Sequence, residues 1–143
     1  MTNETTVSSP VTYATEGLVA VISLNRPQQA NAQNKELLIE LDKAWDRAAE
    51  DDQVKVIVLR ANGKHFSSGH DLSNSNAAAQ FEQDKAESGM MKLYMHERKH
   101  FLGFSRKWRD IPKPSIAVVQ GSCIAAGMML CWPCDLILAA DNA

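Results

Sequence analysis

Apolar positions in this chain alternate first with a strand period and then with a helical one, and the changes of period mark its elements. Val11 to Ala14 and Leu18 to Leu24 are rich in β-branched residues and flank Glu16-Gly17, a pattern that predicts a hairpin. Asn25-Arg26-Pro27 ends it, since proline has no N–H for a paired strand. From Asn34 to about Glu50 the apolar residues Leu37, Leu41, Trp45 (or Ala44) and Ala48 recur at helical spacing, with Glu36, Glu40, Asp42, Lys43 and Arg47 mostly elsewhere. This predicts an amphipathic helix with one buried face. Val54 to Leu59 predicts a largely buried strand, followed by an Asn62-Gly63 turn.

Beyond residue 72 the pattern weakens. Ser73 to about Gln83 is small and polar without apolar periodicity, and is expected to be a loop or a weak helix over a site. Gly89 to Arg109 predicts a second helix, weakened at Gly103 and ended by Ile111-Pro112. A strand from Ser115 to Val119, a short helix from Ala125 to about Trp132 and a strand from Asp135 to Ala139 complete the order. The plan strand, small-residue turn, helix start therefore occurs twice, at Lys64 to Leu72 and at Val119 to Gly127. Each turn has the small residues that let a ligand approach backbone N–H groups, and two such turns can hold two donors on one oxyanion.

Composition narrows the function. With 143 residues, 45% of them hydrophobic, the chain is one domain or part of one, able to bury an ordinary core. Residues 1–10 read as a flexible leader and 11–143 as the folded portion. A net charge of -2 without a Lys/Arg stripe argues against nucleic acid as a partner. No apolar run approaches the ~20 residues that span a membrane, and the polar start lacks a secretory pattern, so a cytoplasmic protein without a membrane partner is expected. The three cysteines, 123, 131 and 134, are an odd and crowded set, which predicts reduced thiols.

Two motifs invite other chemistry. Cys131-Trp132-Pro133-Cys134 has the spacing of a thiol redox pair, but it falls at a predicted helix C-terminus, where the dipole disfavours a thiolate. Packing is the favoured reading and redox activity the lesser alternative. His96 and His100 are spaced i,i+4 without the Glu placement of a zinc protease helix, so a solvated face is expected and no metal site. His65 reads as a strand end, whereas His70 lies in the first turn and contributes its backbone N–H.

Leu24-Asn25-Arg26-Pro27 with Asn31-Ala32, Phe66 to Leu72, and Lys113-Pro114 through Gly121 to Gly127 and Cys134-Asp135 resemble the enoyl-CoA hydratase/isomerase, or crotonase, family. The likeness runs in unbroken order from about residue 11 to the C-terminus. It implies an α/β fold, a crotonase-like spiral of β-β-α units, here truncated to an N-terminal half. It also implies an acyl-CoA or enoyl-CoA thioester as substrate, with no cofactor beyond the coenzyme A it carries. By the same resemblance the backbone N–H groups of His70 and Ala126 form an oxyanion hole for a thioester enolate, and the helix after Ala126 adds its positive end. Gln28, Ala30, Ala32, Ser68 and Leu72 border the coenzyme path, and Asp71, beside them, is expected to cap the following helix. Family members form trimers or hexamers, so a homo-oligomer is implied for the full-length protein.

Two departures from the family pattern shape the expected activity. The resemblance implies a catalytic glutamate three residues after the second oxyanion position, and Met129 stands there. A thioether cannot exchange a proton, so isomerase-like proton transfer is expected over hydration, with a non-catalytic acyl-CoA-binding remnant as the alternative. The family's second glutamate falls beyond residue 143. Family members run roughly as far again, so exposed apolar surface is expected.

Overall fold

The computed structural model describes residues 9–72, 90–91, 94–95 and 97–143. Five strands form one sheet in the order β1 (Val11–Glu16), β2 (Val19–Leu24), β3 (Val56–Ala61), β4 (Ser115–Val119) and β5 (Leu136–Ala139). The β1–β2 hairpin is antiparallel and every later pair is parallel. Gly17, at φ +60°, supplies the left-handed residue of the hairpin turn. The sheet order follows chain order, so each helical connection carries the chain one strand further across.

Helix α1 (Lys35–Glu50) starts where expected because the Asn34 side chain accepts the Leu37 N–H at 2.9 Å. Its buried face is Leu37, Leu38, Leu41, Ala44, Trp45 and Ala48, laid against the sheet. Complete burial of Leu37, Leu41 and Trp45 contributes roughly 2–3 kcal/mol apiece. Lys113 closes the other end, donating to the carbonyls of Ala48 at 2.8 Å and Asp51 at 2.7 Å. The strand expected from Val54 begins instead at Val56, because Val54 N–H turns back to the Asp51 carbonyl; Val54 is nevertheless fully buried.

Residues 90–91, 94–95 and 97 are helical, and Arg98–Leu102 is a single π turn running into α2 (Gly103–Arg109). The weakness expected at Gly103 is thus absorbed inside the helix, where its N–H reaches the Arg98 carbonyl. A Cβ there would lie 3.2 Å from that same oxygen. Trp108 of α2 stacks on Trp45 at 5.9 Å and donates through its indole nitrogen to Asp42 at 2.9 Å, which ties α2 to α1. Helix α3 (Ala126–Cys131) precedes β5. The polar stretch from Ser73 to Gln83 lies outside the described residues.

At the sheet edge, Leu136, Ile137 and Leu138 are 59%, 49% and 58% exposed, so β5 is uncovered on both faces. Among the described residues no helix is long and apolar enough to cross a membrane.

Candidate active site

The two turns identified from sequence meet at the ends of β3 and β4 and pair with each other. Phe66 N–H donates to the Gln120 carbonyl at 2.8 Å, Ser67 N–H to Ser122 at 3.1 Å, and Ile124 N–H back to Ser67 at 3.0 Å. Parallel bridges join Ser67 to Cys123 and Gln33 to His70. Sheet pairing therefore continues into the loops, giving them the rigidity of a strand.

Glycine permits this approach in a way the sequence reading did not foresee. At Gly69, φ +89°, an added Cβ would lie 2.8 Å from the Ile124 carbonyl oxygen and 3.5 Å from the Ala126 nitrogen. At Gly127 it would lie 2.8 Å from the Ser67 oxygen. Each turn thus carries a glycine where the other turn's backbone presses in, so these glycines admit the neighbouring turn.

A buried polar network fixes the first turn from below. Asn31 is fully buried, at φ +52° directly after Ala30 at φ +47°. Its Oδ1 accepts the Arg26 N–H at 2.8 Å, and its Nδ2 donates to the carbonyls of Asn62 and His65, both at 2.9 Å. Ser67 Oγ donates to the Asn31 carbonyl at 2.9 Å and lies 3.2 Å from both Gln33 Nε2 and the Gly69 N–H. Arg26 pairs with Asp71 at 2.8 Å and also donates to the Ala32 carbonyl. The helix that Asp71 was expected to cap lies outside the described residues.

The second turn has its own supports. His65 Nδ1 accepts the Ser122 N–H at 3.1 Å, and Gln120 Nε2 donates to Ala61 at 2.8 Å and Gly63 at 3.0 Å. His65 is thus more than a strand end, and sequence reasoning missed the supporting roles of both residues because their partners lie nearly sixty positions away, at |i−j| of 57 for His65. Ala125, at φ +48° and ψ −114°, occupies a conformation that costs a non-glycine residue about 1–3 kcal/mol. The Ile124 and Ala125 carbonyls accept from Gly127 and Met128, which starts α3.

Within this frame the N–H groups of His70 and Ala126 have no hydrogen-bond partner among the described residues. The flanking N–H groups of Gly69, Asp71 and Gly127 are paired, to Ser67 Oγ and to the carbonyls of Gln33 and Ile124. Two fixed, unspent donors on abutting turns can stabilise charge developing on one oxygen without reorganising.

The remaining expected residues scatter around this point. Ser68 N–H donates to the Ala30 carbonyl at 2.9 Å, which joins those two. Ala32 is buried beside the Arg26 contact, Gln28 lies on an exposed single turn of 3₁₀ helix, and Leu72 is 83% exposed. Met129 is half-buried against the core, its carbonyl accepting from Ser105 Oγ at 3.0 Å.

The cysteines gather beneath α3. Cys123 and Cys131 sulfurs lie 3.7 Å apart, and Cys131 and Cys134 are buried, with Cys131 ending the helix as expected. Burial pushes the Cys134 thiol up to about 12 and Cys131 still higher, which holds both protonated and poor as nucleophiles. Among the described residues no cluster of His, Cys, Asp or Glu could hold a metal ion.

The sequence profile of the enoyl-CoA hydratase/isomerase family matches residues 14–143. The chain belongs to this family. A crystal structure of a probable enoyl-CoA hydratase from Mycobacterium thermoresistibile is 54% identical, with a TM-score of 0.79 over 94% of this chain and 51% of that one. An enoyl-CoA hydratase/isomerase from Xanthobacter autotrophicus Py2 superposes with a TM-score of 0.80 at 37% identity, covering 94% of this chain and 47% of its own. The "Putative enoyl-CoA hydratase EchA13" of Mycobacterium tuberculosis is 35% identical over 138 residues, which are 89% of this chain and 43% of that protein. The chain spans about half the length of the family members it matches, in keeping with the N-terminal half expected from sequence, and its five-stranded α/β sheet is the corresponding part of the crotonase fold.

Proposed function

We propose that this chain binds an acyl-CoA thioester and stabilises its enolate between the N–H groups of His70 and Ala126. The single observation that carries the reading is that these two donors are unpaired on two turns that hydrogen-bond to each other. Withdrawing an α-proton moves charge to the thioester oxygen, and donors fixed in advance favour that state over the neutral ground state. Gln28, Ala30, Ala32, Ser68, Asp71 and Leu72 border the coenzyme path in this reading, with Asp71 acting through its pair with Arg26. No further cofactor is required. Met129 favours isomerase-like proton transfer over addition of water, because no carboxylate stands there. A cytoplasmic homo-oligomer, trimeric or hexameric, belongs to the same reading. Met129 also favours a second one, a half that binds acyl-CoA without turnover.

Cys123 offers the test. Ligating a synthetic 123–143 segment at that residue allows the Ala126 amide to be replaced by an ester, which deletes one N–H and leaves the side chain unchanged. With acetoacetyl-CoA as ligand, the enolate absorbance of the bound thioester is expected to collapse in the ester protein, and kcat for isomerisation of 3-butenoyl-CoA to crotonyl-CoA to fall about 10²–10³-fold. Unchanged enolate absorbance overturns the oxyanion role. Binding of 3-butenoyl-CoA without isomerisation, and of acetoacetyl-CoA without enolate absorbance, in the all-amide protein selects the second reading.

A further inference from the structure

The thioether at 129 leaves the donors without the expected carboxylate, but the fold brings another to the first turn. Glu97 Oε2 lies 3.4 Å from His70 Nε2, with the two side chains 42% and 40% exposed. The imidazole is held on its face by Phe101, at 4.1 Å between ring centroids and 30° between planes. Phe101 is 6% exposed and belongs to the π turn, so the extra residue in that turn seats the aromatic that positions His70. Irregular helical turns of this kind recur at functional sites. Nδ1, the nitrogen away from Glu97, makes no hydrogen bond among the described residues.

Residue 70 therefore presents an unpaired N–H and an oriented imidazole together. If that N–H holds the thioester oxygen, the α-carbon is two bonds from the oxygen and within reach of a side chain that starts one atom from the same nitrogen. Resting on the function proposed above, we infer that His70 is the base that enolises the bound thioester, with Glu97 as its positioning residue. The α C–H bond breaks and its electron pair forms the enolate double bond. The carbonyl π pair moves to the oxygen between the two donors, and the proton passes to His70 Nδ1. The imidazolium that forms is stabilised by the Glu97 carboxylate, as a carboxylate does in other His-based catalysts. Other charged groups nearby are Asp71, paired with Arg26, and Arg98 and Lys99 in the π turn; His100 is turned to Phe104. A merely structural pair at this exposure would contribute little to stability.

Exchange of the α-protons of butanoyl-CoA in D2O, followed by proton NMR with the 143-residue chain, reads this step. His70→Ala keeps the backbone donor, so butanoyl-CoA should still bind with an unchanged dissociation constant while exchange falls by about 10²-fold or more. Added imidazole should restore part of that loss. Glu97→Gln should slow exchange about 10-fold, and Glu97→Asp should recover part of it. Wild-type exchange in His70→Ala, or intact binding with no imidazole rescue, overturns the inference. Binding without exchange by the unsubstituted chain overturns it too and leaves the thioester site standing, whereas absence of binding overturns that site as well.

Discussion

Asn31 combines two costs that only its side chain can offset. It is fully buried and left-handed at φ +52°, a conformation asparagine tolerates better than alanine, and it holds three backbone groups, one in its own loop and two in the loop after β3. Asn31→Ala is expected to destabilise the chain by about 3–4 kcal/mol, seen as a lower urea midpoint at unchanged slope. Asn31→Gly should cost about 1 kcal/mol less, since glycine is free of the left-handed penalty. A urea titration that finds Asn31→Ala within experimental error of the parent would remove this account. In the sequence Asn31 was legible as part of a motif and not as a hub. Its partners, Asn62 and His65, lie 31 and 34 positions away, beyond any local pattern. The small residues of the two turns were legible for the same reason that their purpose was not: glycine shows in the sequence, and the backbone that presses against it does not.

Strands and helices whose apolar period is unbroken were read closely, including α1 and β4, because burial on one face imposes that period. Shifts arose where hydrogen bonding departed from periodicity. The Val54 side chain is buried before its backbone joins the sheet, and the π turn at Arg98–Leu102 inserts a residue without breaking the run of apolar side chains. Strand β5 also has an electrostatic fastening. Asp135 Oδ2 accepts from the Ser115 N–H at 2.8 Å and from its hydroxyl at 3.1 Å, contacts that hold the carboxyl below its ordinary range. A carboxyl with a depressed folded value stabilises above the unfolded value and loses that contribution as pH falls through the folded one. The β4–β5 pairing should accordingly hold at neutral pH and weaken below about pH 3.9. Amide exchange at Ala140, whose N–H bonds to Val119, should accelerate with acid in the parent and show a flatter pH dependence in Asp135→Asn once intrinsic exchange is subtracted.

Over the molecule, apolar surface and polar site lie in different places. Leu136, Ile137 and Leu138 leave β5 apolar on both faces and open along one edge, an arrangement that proteins ordinarily blunt with charge or cover. The chain is expected to bind the fluorescent dye anilinonaphthalene sulfonate while folded, and Leu138→Lys to reduce that fluorescence by about half with little change in melting midpoint. Unchanged fluorescence would place the dye elsewhere. The family assignment rests on motifs spread along nearly the whole chain, which made the architecture legible before any contact was known. The pairing of the two turns depends on chain closure between β3 and β4 and became visible only in three dimensions. Because His70 sits on one turn and Ala126 on the other, a ligand gripping both donors would act as a clasp between distant stretches of chain. Its binding free energy would appear as folding free energy, growing by RT ln(1 + [L]/Kd), so saturation with such a ligand and resistance to unfolding become two measurements of one equilibrium.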